Sequence, residues 1–174
     1  MGATTPLFKH YLPLLAAVLL AGCSLPGDSA LQAKVDRMTP CEKINSLVST
    51  YTDNFNAIKG PLVSKRFLNV WTAKVDAIGD GCQVWQSGTQ TTYMCTRNAP
   101  DKAIGEAWLE QSVDVMQQCL PDWQREATRS EDKGSEGFVW TKAGNYPSIS
   151  AQLIPVRGRQ STFYYFVGDR DHWY

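Results

Sequence analysis

Cysteine placement constrains this chain more than any other feature: of its 174 residues five are cysteine, at positions 23, 41, 82, 95 and 119. The first sits at the rim of an apolar run, PLLAAVLLAGCSLPG, and the other four are spread over the remainder. Thiols pair off only in even numbers, so the N-terminus decides how the other four are read.

Residues 1 to 22 hold one lysine, Lys9, one histidine, His10, and no acid, and within them runs the apolar segment Leu12 to Leu20, broken near its start by Pro13. A weakly positive start before an apolar segment too short to cross a bilayer has the form of a secretory signal. Small residues directly before Cys23, and Ser24-Leu25-Pro26-Gly27-Asp28 after it, argue against a buried core helix running on through the cysteine. Leu20-Ala21-Gly22-Cys23 resembles the lipobox of bacterial lipoproteins at all four positions. The resemblance implies cleavage before Cys23, acylation of its thiol and of the new N-terminus, and a mature chain of residues 23–174 held at a membrane. Two or more acyl chains anchor stably where one holds only marginally. Ser24 stands where an Asp would resemble the inner-membrane retention signal of enterobacterial lipoproteins, which implies sorting to the outer membrane, on its periplasmic side.

Export changes the cysteine arithmetic. Without Cys23 an even set remains in an oxidising space, and two disulfides are expected. The rival is a four-thiolate zinc site, but no CxxC occurs and His172 is the single histidine left after cleavage. Neither a metal nor a cofactor is expected.

Residues 23–38 read as a flexible tether, polar and small with Pro26 and Gly27 early. Residues 39–174 read as a single globular domain. Thr39-Pro40-Cys41-Glu42 offers an N-cap, a proline at the first helical position and a capping-box glutamate. Apolar positions at Cys41, Ile44, Val48, Tyr51, Phe55 and Ile58 predict one helix that Gly60-Pro61 ends. Trp71 to Ala77 alternates as a half-buried strand that Ile78 continues, with a turn at Gly79-Asp80-Gly81. CQVWQ and TTYMC then flank SGTQ as a hairpin. A four-residue loop at Ser87 to Gln90 sets Gln86 opposite Thr91 and Cys82 opposite Cys95, where a cross-strand bridge is reachable; a turn centred on Ser87-Gly88 would face Cys82 with Tyr93 instead.

A second helix is expected from KAIGEAWLEQSVDVMQQC, weakened by Gly105 and stopped by Leu120-Pro121. Cys41 opens the first helix and Cys119 closes the second, so antiparallel neighbours would bring them together. Four cysteines allow three pairings, and the one these arguments favour is Cys41 with Cys119 and Cys82 with Cys95. The C-terminal part reads as strands in WQREATRS, FVWTK, SISAQLIPV and STFYYFVG, with Pro155 ending a strand or lying at an edge. The expected fold is α+β: an antiparallel sheet with two helices packed on one face, in the order α-β-β-β-α-β-β-β-β, stapled by two disulfides. A weak internal echo matches Trp71 and Gly81-Cys82-Gln83-Val84-Trp85 to Trp123 and Gly137-Phe138-Val139-Trp140.

Charge is balanced, 17 Lys plus Arg against 17 Asp plus Glu, so no field recruits a polyanion and nucleic acid is not an expected partner. Catalytic groups are thin. His172 has Asp169 and Asp171 nearby but no nucleophile elbow, Glu131-Asp132 reads as a solvated turn, and no glycine-rich phosphate cradle occurs. The chain is not expected to be an enzyme. Its rings are the richer signal: in Tyr164-Tyr165-Phe166 neighbours point to opposite faces of a strand, so a bulky ring faces away from the core. Tyr164, Tyr165, Trp173 and Tyr174, with Arg157 and Arg159 at a hairpin tip, are therefore candidate contacts for an envelope protein partner. Small lipoproteins that resemble this one act as assembly factors, hydrolase inhibitors or immunity proteins. The alternatives are a carrier of a small apolar or glycan ligand, with a pocket lined by Trp71, Trp108 and Tyr51, and a cell-envelope hydrolase.

Overall fold

A computed structural model describes residues 26–130, 134–156 and 160–169. Cys23, Arg157, Arg159, His172, Trp173 and Tyr174 lie outside the described residues. Among the described residues three α-helices and eight strands run in the order α1 (Pro26–Val35), α2 (Pro40–Thr50), β1 (Lys59–Lys65), β2 (Asn69–Ala73), β3 (Gln83–Ser87), β4 (Gln90–Ala99), α3 (Lys102–Cys119), β5 (Gln124–Ser130), β6 (Ser135–Thr141), β7 (Ser148–Pro155) and β8 (Ser161–Gly168), with two short 3-10 turns between α2 and β1. All eight strands form one antiparallel sheet, in the spatial order β1-β2-β3-β4-β8-β7-β6-β5.

That order reads the same from either edge if each strand is exchanged with the one four places on. The molecule is therefore two helix-plus-four-strand meanders joined where β4 pairs with β8. The sequence echo hinted at this doubling but was one strand out. It set Trp85 of β3 against Trp140 of β6, whereas the topology matches β2 with β6, and so Trp71 with Trp140 as strand residues.

The expected element order lacks two pieces. The stretch read as a tether carries α1, and Val35 at its end is buried in the main apolar cluster. The missed strand is β1, where Gly60-Pro61 had marked only the end of a helix. Proline is tolerated on an edge strand, where its missing amide breaks no ladder, and β1 is an edge strand with register shifts either side of Leu62.

Helix α2 begins as its sequence demands. Glu42 N–H donates to the Thr39 hydroxyl at 3.3 Å and Thr39 N–H to the Glu42 carboxylate at 2.7 Å, so each caps the other. It ends at Thr50, eight residues short of the expected stripe. There Ser46 and Leu47 carbonyls accept from the Thr50 hydroxyl, the local competition that makes threonine a poor helix interior. Two successive left-handed residues, Asn54 and Phe55, then swing the chain so that Phe55 inserts fully into the core against Tyr93. The left-handed region costs a non-glycine residue energy, and here burial of a whole aromatic ring offsets it.

Strand β2 stops at Ala73, and the alternation through Val75 and Ala77 belongs to a loop. Tyr93 holds that loop: its phenol donates to the Val75 carbonyl at 2.7 Å and accepts from Ala77 N–H at 3.1 Å. The β3–β4 hairpin keeps Gln86 opposite Thr91, and Cys82 and Cys95 are bonded, with Cα atoms 4.1 Å apart. Cys41 and Cys119 form the second bridge, with Cα atoms 4.9 Å apart, tying the start of α2 to the end of α3.

Gly105 does more than weaken α3. A Cβ there would lie 2.6 Å from a Leu153 methyl carbon, so its absence lets the helix approach β7 closely. Gly137 lies inside β6, where any Cβ would strike the Ala151 carbonyl oxygen of the neighbouring strand, so only glycine fits.

Candidate functional site

Strand registers sort every sheet residue onto one of two faces. One carries Val84, Tyr93, Cys95, Ile149, Ala151, Leu153, Phe163, Tyr165, Val167 and Trp140, and joins Ile44 and Leu47 of α2 and Leu109 and Met116 of α3 in one apolar cluster. That cluster takes no residue from the opposite face.

The opposite face differs in kind. From β2 through β3, β4, β8 and β7 to β6 it presents only Val, Ile, Met, Gly, Ser, Thr, Asn, Gln and aromatic residues, without one charged side chain. Its single charge is Glu126 on β5, the outermost strand. Solvent-facing sheets ordinarily carry the polar and charged half of the alternation, and here charge has instead moved to the helical side, as Arg97, Arg125, Arg129 and Glu136. Depletion of charge with enrichment in aromatic residues and methionine is the compositional mark of an interface core.

Apolar groups gather at one part of this face. Tyr164 and Phe166 stack with ring centroids 5.7 Å apart. Met94 lies opposite Phe166, and Trp85, exposed on β3, fixes its indole by donating to Gln83 at 2.8 Å. With Leu68 and Thr92, the side chains of Trp85, Met94 and Phe166 line a mainly apolar groove of about 260 Å³. Phe67, almost wholly exposed, stands at the tip of the β1–β2 hairpin next to Leu68.

Of the residues singled out from sequence, Tyr164 lies on the charge-free face, as the strand alternation required. Tyr165 does not: it is fully buried on the helical side, its hydroxyl 3.7 Å from the Met116 sulfur, and burial drives its phenol far above the usual range. It has no surface to offer a partner. Trp85, Met94 and Phe166 were missed as a group because only the register β3-β4-β8 makes them neighbours.

The three rings of the expected pocket, Trp71, Trp108 and Tyr51, make separate contacts, and Trp108 and Tyr51 line different cavities. Lys59 sits over Trp71 at 4.3 Å. Arg97 stacks on Trp108 at 3.9 Å and reaches Asp80 at 3.6 Å, beside a cavity of about 220 Å³ that Phe163, Ile78 and Gln111 also line. Tyr51 packs edge-on to Phe55 and donates its hydroxyl to the Asp169 carboxylate. Burial, then that hydrogen bond and charge, push the Tyr51 phenol up to about 12. Among the described residues no group of three or more His, Cys, Asp or Glu side chains is placed to hold a metal, and no helix is long and apolar enough to cross a membrane. No protein-family model matches the chain, and neither a curated protein nor a solved structure matches it significantly.

Proposed function

We propose that the chain is a lipid-anchored protein of the outer membrane, exposed to the periplasm, that works without catalysis by binding another envelope protein. In this reading both long helices cover one face of the sheet, and the other is the docking surface. The observation that carries it is the charge-free face spanning six strands, with Trp85, Met94, Tyr164 and Phe166 at its apolar centre. Burying such a face removes what Trp85, Met94 and Tyr164 still expose from water at roughly 25 cal/mol per Å² and strands no charge, with the already buried Phe166 behind them, the arrangement in which a few aromatic anchors supply most of an interface's energy. The lipobox supports the anchor, and assembly factor, inhibitor and immunity protein all remain roles this face could serve.

The test is differential. Tagged full-length protein is recovered from envelopes alongside Thr96→Lys and Gln152→Lys, which place a charge on the open face, and Glu110→Lys on the helical side. A partner recovered with the parent and with Glu110→Lys, and lost with the two face variants, is the expected result. Equal recovery with all four overturns the surface assignment. Cys23→Ser should leave soluble protein or uncleaved precursor, and unchanged membrane attachment overturns the anchor.

A further inference from the structure

At one end of the sheet, away from the charge-free face, four connections converge: the end of the α2 segment (Tyr51, Thr52, Asn54), the β3–β4 turn (Thr89), the β6–β7 turn (Asn145) and the exit from β8 (Asp169). With Thr91 they line a cavity of about 240 Å³ whose surface is almost entirely polar. The chain builds this meeting point with deliberate backbone geometry. Asn54 is left-handed, and glycines with positive φ, Gly88 and Gly144, make the two turns that deliver Thr89 and Asn145.

The cavity's polar groups satisfy one another only in part. Thr91 is 95% buried, on the helical face of β4, yet its hydroxyl has no hydrogen-bond partner among the described residues. An orphaned buried hydroxyl costs stability, so its retention beside a polar cavity points to a partner that arrives from outside the fold. Asp169 accepts from the Tyr51 phenol on one oxygen, and among the described residues no lysine or arginine forms an ion pair with it. Among the described residues no Lys, Arg or His lines the cavity and its one charge is the Asp169 carboxylate, which speaks against an anion as its content.

The donor and acceptor inventory narrows the class. Three threonine hydroxyls and one tyrosine hydroxyl both give and accept, two asparagine amides each offer a donor and an acceptor, and one carboxylate only accepts. Such a set suits a ligand whose own groups also do both, at several adjacent positions, and a vicinal pair of hydroxyls is the simplest one. The near absence of apolar lining excludes a lipid or an aromatic ligand, and the volume limits the bound part to about one sugar ring. We propose that this cavity binds a neutral polyhydroxylated ligand, a single sugar unit, with Asp169 accepting two ligand hydroxyls and Thr91 completing the bond the fold leaves unmade. Asp169 is the anchor because a charge-assisted bond is about twice as strong as a neutral one. Tyr51 is a positioning residue: its donated proton fixes the carboxylate. The site is independent of the docking reading and stands or falls without it.

Ligand-observed NMR on the full chain, with D-glucose, D-galactose, D-mannose and N-acetylglucosamine as probes and D-glucuronate, calcium chloride and methylammonium chloride as comparisons, tests this. At least one neutral sugar should bind with a millimolar constant and D-glucuronate should not, since its carboxylate meets Asp169. Asp169→Asn should weaken binding about tenfold, the size of loss expected for one hydrogen bond to a charged group. Thr91→Val should weaken binding several-fold while raising the Tm of the ligand-free protein, because it removes an orphaned hydroxyl at constant shape. A merely structural Thr91 would lower Tm instead. No response to any neutral sugar, a response only to the cations, or sugar binding unchanged in both variants overturns the proposal.

Discussion

The two four-strand halves share one topology and hold it by different means. In the second half, pairing runs unbroken for seven residue pairs between β5 and β6 and eight between β7 and β8, with no cysteine in any strand. In the first, β1 slips register twice against β2, and nine residues separate β2 from β3. The nine-residue segment is fixed at its end by the Cys82–Cys95 bridge, by Cys82 N–H donating to Asp76 at 3.2 Å, and at its middle by Tyr93. Where ladder hydrogen bonds and core burial suffice, the chain uses them. Where they lapse, cross-links and a buried phenol take over.

Breaking the link between halves should have the largest effect. Cys41→Ser with Cys119→Ser removes a bridge spanning 78 residues, which chain entropy values at about 4 kcal/mol, seen as a fall in denaturant midpoint. Within the first half, Cys82→Ala with Cys95→Ala opens a 13-residue span at a cost of about 3 kcal/mol. Hydrogen exchange should then quicken in β3 and residues 74–81 while β6 and β7 stay protected; equal loss in both halves would erase the contrast. Tyr93→Phe should cost about 2 kcal/mol, because the Val75 carbonyl and Ala77 amide lose their partner inside the fold. Gly105→Ala probes the second half. Better helix propensity contributes about 1 kcal/mol, but the added methyl runs into Leu153 at an overpacking cost of about 2, leaving a net loss of about 1.

The mildest test is pH. Tyr51 has its folded pKa raised to about 12 from 10, so the native state favours the neutral phenol. Its stabilising contribution is intact below pH 10 and is lost as pH climbs from 10 to 12, where the phenolate would face Asp169. Alkaline denaturation of Tyr51→Phe should lack that component, and an identical alkaline profile would show that Tyr51 is not the titrating group.

What could be read from sequence follows the same divide. The last two strands were legible because turn formers bracket apolar segments, SISAQLIPV and STFYYFVG, that the fold uses nearly as they stand. The capping box at Thr39 and Glu42 and the hairpin pairing of Gln86 with Thr91 were legible for the same reason: each is local. The failures cluster where tertiary demand overrides a local signal. Residues 74–78 alternate like a strand but are held as a loop by a tyrosine 16 to 18 residues on. The stripe buries Phe55 and Ile58 as expected but not as one α-helix: two short 3-10 turns, Tyr51–Asp53 and Asn56–Ile58, flank the left-handed pair that carries Phe55 to the core by another route. The outward ring of Tyr164 on an open sheet face was legible, but neither candidate site was legible in full. The charge-free face needs the register of six strands at once, and the polar cavity joins residues from Tyr51 to Asp169, 118 positions apart.

The central β4–β8 seam has a consequence for how the chain is made. Until β8 exists, β4 carries Tyr93 and Cys95, both fully buried in the finished molecule, along an edge with no neighbour. A chain interrupted after α3 would hold a finished meander with an open β4 edge, free to pair with the β4 of a second such fragment. Truncation there should therefore yield paired fragments or aggregates in place of a half-sized monomer, and synthesis must deliver the last strand before β4 meets another copy.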